Sequence, residues 1–506
     1  MRLMTLAFVL GAAGGQSRIL HSQAVPVLDS VEVRRWREDL DFLAREMPAK
    51  HANLFHAMRR DQFDSALSSI RDRLPGLARH QVIVELQRLA AMIGDGHSNV
   101  SPWRDTVVAF RTLPISLYKF HDGYYVRAAT REHADLLGAR VVRIGRVSID
   151  SAELRVAALI SRDNAMGIWL QAPRVLVMPE ALEALGMSTD PGGAEFTFAT
   201  DGATRTVALR ASGPFESLSG DADKSWNPRS GWVDARDRSA TPRWLSRTRD
   251  AYWYTYVPEG RLLYLQLNEI QERGEKLQTF MDRALATADS SDAERLVLDL
   301  RLNGGGNGYY NRAIVRALVR SRFDAPGRLF VITSRQTFSA AQMLISELEK
   351  WSNPIFVGEP SASRGNHFGD SRRLVLPRSR VTVRVSSFWW QYWDPRDNRP
   401  WIAPGVAAPL TFAAYAAGRD PALEAVARFV PQPSLVESLK PLLTALDSVA
   451  TIRAIATFRA NPDNAWLDPS EALVDVAALL RAEGRNDAVA LADRLRVRQK
   501  ESGASQ

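Results

Sequence analysis

Three segments of this chain hold residue types that could do acyl chemistry. In Phe330-Val-Ile-Thr-Ser-Arg-Gln-Thr-Phe-Ser339-Ala-Ala-Gln, an apolar strand pattern passes through a polar turn into a helix start. A serine there lies at a strand end, beside the unpaired N–H groups of a helix N-terminus. Such donors can hold the oxyanion that forms when a hydroxyl attacks a carbonyl. The same position also suits an ordinary N-cap serine, so this segment alone does not decide. The second segment, Arg295-Leu-Val-Leu-Asp299-Leu-Arg301-Leu-Asn303-Gly304-Gly305-Gly306, is a buried-strand pattern that ends in three glycines. Glycines there allow positive φ, close backbone approach and anion-binding N–H groups. No GxxxxGKS/T or GxGxxG is present, so the triplet is not a phosphate loop. The third, Ile93-Gly94-Asp95-Gly96-His97-Ser98, sets a histidine in a Gly-flanked turn rather than on a periodic apolar face.

Together these segments resemble the S41 family of serine peptidases: the tail-specific, C-terminal-processing and tricorn-like proteases. Gly94-Asp-Gly-His97-Ser is similar to the family's DGHS/T motif. The stretch from Val297 to Gly306 resembles its DLRxNxGG strand and turn, and Thr337-Phe-Ser339-Ala-Ala its nucleophile segment. Val357-Gly358-Glu359-Pro360-Ser361 resembles VGExT with serine for threonine. Leu374-Val-Leu-Pro377 and Trp401-Ile-Ala-Pro404-Gly-Val resemble the later LPNS and PDxxV motifs. The likeness covers roughly residues 90–104 and 250–420, with the motifs in the family's order.

The resemblance implies Ser339 as nucleophile, with Ala340 N–H and a glycine N–H, Gly305 before Gly304, as oxyanion donors. The lysine base of the Ser-Lys branch corresponds to Arg364, which stays protonated and cannot serve as base. Arg364 is instead a candidate for substrate binding. The tricorn-like arrangement makes His97 the base. His367 and Lys350 are its rivals. The family's supporting acid has no clear match; Asp394 and Asp397 are the nearest carboxylates. Serine acyl transfer needs no cofactor.

With 506 residues the chain is too long for one core, and 45% hydrophobic with 24% charged residues makes it globular. It has no cysteine, which excludes disulfides and thiolate chemistry. The net charge of +8 comes from scattered arginines, without the compact basic-aromatic run that would point to nucleic acid. His51, His56 and His80 lack metal-ligand spacing, so no metal site is expected. Met1-Arg2, the apolar run 3–13 and Ser22-Gln23-Ala24 have the order of a secretory leader over 1–24. No later apolar run is long enough for a membrane span. A periplasmic or secreted location follows.

Further along, 25–105 reads as helical, with 31–45, 61–74 and 81–93 each carrying apolar residues at 3–4 spacing. Residues 106–212 read as a β-rich module with a hairpin turn at Asp201-Gly202. Ala134 to Gly145 resembles part of a PDZ domain; the module either captures peptide ends or acts as a spacer. Residues 213–250 read as a linker. From 251 to 430, strands at 261–267, 295–300, 328–333 and 354–357 alternate with helices at 275–286, 309–319 and 339–351, the pattern of a helix-covered, mainly parallel sheet. The aromatic run Phe388-Trp-Trp-Gln-Tyr-Trp393 reads as core packing, with the wall of an apolar substrate subsite as the alternative. Residues 431–506 read as helical, with a Leu435, Leu439, Leu442, Leu443 and Leu446 stripe and a tetratricopeptide-like pair hinged at Gly484 that must dock on the core. The fold class is an α/β core of the S41 or ClpP-crotonase type with these additions. The implied activity is hydrolysis of polypeptides by an exported serine endopeptidase. A non-catalytic binder of an apolar ligand or peptide on the same fold is the alternative, and a scaffold built on the helical C-terminus a third.

Overall fold

The structure, a computed structural model, describes residues 26–200, 202–214, 226–239 and 241–503. The expected leader and the first residue of the expected Asp201-Gly202 turn lie outside these residues.

Six strands form the central sheet, in the order Tyr252–Val257, Leu262–Leu267, Arg295–Asp299, Leu329–Thr333, Ile355–Gly358, Val406–Ala407. The first pair is antiparallel and the others are parallel. Parallel neighbours need crossovers, and helices Leu277–Asp289, Asn311–Val319 and Ala340–Trp351 supply three of them. A sheet covered on both faces has continuously apolar strands. Leu329, Phe330, Val331 and Ile332 are all fully buried. At about 1.5–3 kcal/mol for each such side chain, this strand firmly anchors the turn that carries Ser339.

The helical region also forms as the periodicity predicts, as Ser30–Lys50, Arg60–Arg73 and Arg79–Ala91. The first helix has a capping box. Asp29 accepts from Val31 N and Glu32 N, both at 2.8 Å. The third helix leads through the His97 turn into a short strand, Asn99–Val100. That strand pairs with Thr382–Gln391, which pairs in turn with Asn366–Val375. A long-range sheet thus ties the histidine turn to a hairpin that emerges from the core.

The middle region folds into a seven-stranded sheet whose longer strands are Ile115–Phe120, Gly123–Thr130, Arg140–Ile144, Gly193–Thr200 and Ala203–Arg210. Helices Ile149–Ala157 and Ala165–Val175 accompany it. The linker expected at 213–250 is corrected where it is described. Trp232–Asp234 pairs with Thr130, Ala129 and Ala128 as a strand of this sheet, and Trp226 and Trp244 are buried. Tryptophan burial outweighed the turn-like composition around it.

The aromatic run divides: Trp390 and Tyr392 pack against the core as expected, whereas Phe388 and Trp389 are about half exposed. At the C-terminus, helices Leu435–Thr444, Ser448–Ala460, Pro469–Ala482 and Asn486–Gly503 share a core of their own. Leu435, Leu439 and Leu443 join it, but Leu446 is exposed and has positive φ. Gly484, with φ +71°, turns the last pair. Trp466 docks this unit, packing edge-on against Trp169 and Trp401. Among the described residues no helix is long and apolar enough to cross a membrane.

Candidate active site

Ser339 ends the turn that follows Leu329–Thr333 and immediately precedes helix Ala340–Trp351. Its backbone lies at φ +53°, ψ −122°, a conformation that costs a non-glycine residue energy and persists only when its surroundings enforce it. The enforcing contacts are present. Thr337 Oγ1 donates to Leu300 O at 2.9 Å, Ser334 Oγ to Arg301 O at 2.6 Å, and Phe338 N to Asn303 O at 3.1 Å. Buried Arg335 is held by Glu359 at 2.7 and 2.9 Å, which gives the glutamate of the VGExT-like segment a structural role. The Ser339 hydroxyl caps nothing. The N-cap explanation for this serine therefore fails.

The glycine triplet lies against this turn. A Cβ built on Gly305 would stand 2.8 Å from Ser339 Cβ and 3.1 Å from Ala340 N, and Gly305 has φ +111°. Only glycine permits that approach. The Gly305 N–H, however, is donated to Asn303 Oδ1 at 2.9 Å. Gly305 is therefore corrected as the second oxyanion donor: its N–H already donates to an asparagine two residues upstream. Gly304 lines the cavity beside His97, and neither its N–H nor that of Ala340 has a partner among the described residues. We expect Gly305→Ala to lower stability by about 1–3 kcal/mol through the strained φ. Displacing Ser339 should also cut turnover about 100-fold or more. Melting curves with a rate assay check both, and undiminished turnover would separate the triplet from the chemistry.

His97 is placed by Asp95, whose Oδ1 accepts from His97 N at 2.8 Å, Ser98 N at 2.6 Å and Ser386 Oγ at 2.8 Å. Asp95 Oδ2 lies 2.8 Å from His51 Nε2. Burial alone would raise the Asp95 carboxyl, but bonds from His51, Ser98 and Ser386 bring it down to about 2. The His97 ring stacks on Phe338, the residue before Ser339, with centroids 4.5 Å apart, and on His367 at 5.7 Å. Burial lowers the His97 imidazole below its ordinary value, against the charges of Asp95 and Asp370. His97 Nδ1 is buried and unbonded, and Ser339 Oγ makes no hydrogen bond among the described residues. Nucleophile–base bonds are often loose in free enzymes and tighten with substrate.

His367 is also buried. Its Nδ1 lies 3.1 Å from Arg364 O, and burial with the neighbouring His97 pushes it down to about 3. Arg364 Nε donates to Asp163 O at 2.9 Å, which ties two loops together. Asp394 and Asp397 are corrected as supporting acids. They are taken by Arg396 and Arg399, beyond the end of the strand that pairs across from His367. Lys350 stacks over Trp351 at the far end of its helix.

Sequence reasoning missed Asp163. Its Oδ1 accepts from Gly96 N at 2.6 Å, while Oδ2 is buried without a partner. Burial pushes this carboxyl up to about 7. Nearby, Ser363 Oγ accepts from Ser339 N at 3.3 Å. No motif marked these residues, because their elements meet only in the fold.

No family model matches this chain, and no curated protein matches it either. Solved structures do. Mature CPAF aligns with a TM-score of 0.53 at 13% identity, covering 83% of this chain and 99% of that one. Mature CPAF complexed with lactacystin aligns at 0.54 and 13%, covering 76% and 96%. A photosystem II D1 C-terminal processing protease reaches 0.35 at 15%, covering 78% and 96%, and does not enter the argument. The chain thus has a mixed α/β fold shared with mature CPAF.

Proposed function

We propose that the chain is an exported serine peptidase that works through an acyl-enzyme, with Ser339 as nucleophile and His97 as base. The observation that carries this reading is the strained Ser339 turn, which presents an uncapped hydroxyl at a helix N-terminus beside a glycine triplet and the Phe338–His97 stack. Ser339 Oγ attacks the peptide carbonyl carbon as His97 takes its proton. Ala340 N–H and Gly304 N–H face the resulting oxyanion. Each such donor is commonly worth about 10²–10³ in rate. On collapse the C–N bond breaks and His97 returns the proton to the leaving amine. Water, deprotonated by His97, then hydrolyses the ester and frees Ser339. Export rests on the composition of the first 24 residues. The exposed outer strand Ala203–Arg210 suits addition of a peptide strand to the module.

A fluorophosphonate reagent tests this reading. Mass analysis should find one adduct, at Ser339, and loss of peptide hydrolysis in step with labelling. An unlabelled Ser339 in folded protein would overturn the reading in favour of a binding protein. The alternative of an apolar ligand has little support from the cavity beside His97, which is ringed by arginines.

A further inference from the structure

A cavity of about 480 Å³ opens at His97, Gly304 and Phe338. Arg104, Arg162, Arg174 and Arg384 line it. A smaller cavity of about 60 Å³ shares Leu170, Arg174 and Gln336 with it and is also lined by Arg127 and Arg229. Among the described residues no aspartate or glutamate lines either space. Gln336, three residues before Ser339, lines both spaces.

Arg127 and Arg174 are the unusual members. Arg127 is only 6% exposed, yet its Nε and Nη1 are buried and donate to nothing among the described residues. Its guanidinium carbon lies 5.0 Å from the centre of the Trp226 ring. Arg174 Nη1 donates to Gln171 Oε1 at 3.2 Å, and no carboxylate pairs with it among the described residues. Burial and the like charge of Arg127 push the Arg174 guanidinium down to about 10. Two other buried arginines near the site are paired with acids: Arg335 with Glu359, and Arg301 with Asp299 and Asp420. Arg127 is thus a buried cation with no ion pair among the described residues, which is costly, and the partly buried Arg174 adds like charge beside it. Asp234, the acid on the strand beside Arg127, accepts from the Tyr415 hydroxyl at 2.9 Å and from Arg236 N at 2.8 Å and makes no ion pair with Arg127.

We propose that Arg127 and Arg174 form a carboxylate receptacle in the two cavities that share Arg174 beside His97, and that it selects substrates with a carboxylate a short distance from the scissile bond. Guanidinium groups bind carboxylates in a planar, often two-pronged geometry, strongest where water is excluded. The missing negative charge would arrive with the substrate. An acidic side chain and a free C-terminus supply the same chemistry. The proposal rests on the peptidase reading for what is bound, but not for the site itself.

The test uses the full-length Ser339→Ala protein, so that binding is read without turnover. Four peptides of one sequence carry Glu or Gln at the acidic position and a free or amidated C-terminus. Calorimetry should show at least about tenfold weaker binding when the recognised carboxylate is removed, and the Glu/Gln and acid/amide arms say which one it is. Arg174→Met should abolish that discrimination. Inorganic phosphate, set against chloride at matched ionic strength, supplies a second readout. It should raise the Tm of the parent protein and not that of Arg174→Met. That variant should fold at least as stably as the parent without phosphate, because it removes an uncompensated charge. Equal affinity across the four peptides overturns the proposal. If none of them binds, the lack of a phosphate response overturns it. Discrimination without Ser339 labelling would sink the peptidase reading and leave the receptacle standing; labelling without discrimination would do the reverse.

Discussion

Ser339→Ala is expected to abolish peptide hydrolysis, by several orders of magnitude in kcat, while the protein keeps its fold. The size of the loss follows from the role. Without the hydroxyl no acyl-enzyme forms, and only binding and the oxyanion donors remain to assist water. The small effect on stability follows from the geometry. A capping serine would give up about 0.5–2 kcal/mol on truncation. Here the hydroxyl caps nothing, and alanine inherits the same strained φ of +53°. Ser339→Gly sharpens the test. It should be equally inactive yet more stable than the parent by about 1–3 kcal/mol, because glycine relieves the strain. Rates against a cleaved peptide and denaturant midpoints for the three proteins check the pair of effects. Hydrolysis surviving in either variant would move the chemistry away from this turn.

His97→Ala should be nearly as damaging as Ser339→Ala, and the double variant scarcely worse than either alone, since members of one catalytic unit fail together. The pH profile supplies an independent sign. Burial lowers the His97 imidazole below its unfolded value of 6.5. The basic form therefore persists to lower pH, and the acid limb of kcat/KM should fall below the ordinary imidazole range. Stability responds in the same direction. Between the folded and unfolded values the unfolded chain binds more protons, so stability is complete above pH 6.5 and is lost as pH falls through that value toward the folded one. His367, brought down to about 3, adds to the same loss. The stacked rings also repel when charged, so the first proton opposes the second. An acid limb at or above pH 6.5, or a His97→Ala protein as fast as the parent, would remove His97 as base. His367 would be tested next.

Much of the site's scaffold was legible from local pattern. Strands at 261–267, 295–300, 328–333 and 354–357, and the helices between them, lie within about three residues of the observed elements, because a buried parallel strand must be apolar along its whole length. The turn before Ser339 and the glycine triplet could be read for a similar reason, since steric limits on the backbone act within a few residues. The roles of partners could not. That Gly305 must be glycine is local; that its N–H is already given to Asn303 depends on where one side chain points. Asp394 and Asp397 looked plausible by position along the chain, but the strand Thr382–Gln391 carries them past its end to Arg396 and Arg399. Asp163 and Ser363, far apart in sequence, came together around Gly96 and Ser339 without any motif to announce them. Trp226 and Trp244 looked like loop residues until the fold closed over them. Whether an arginine is paired, solvated or left buried beside another is a property of space and not of neighbours in sequence. Arg127 and Arg174 passed as two of many scattered charges until the fold placed them on one small cavity, with no acid lining it among the described residues.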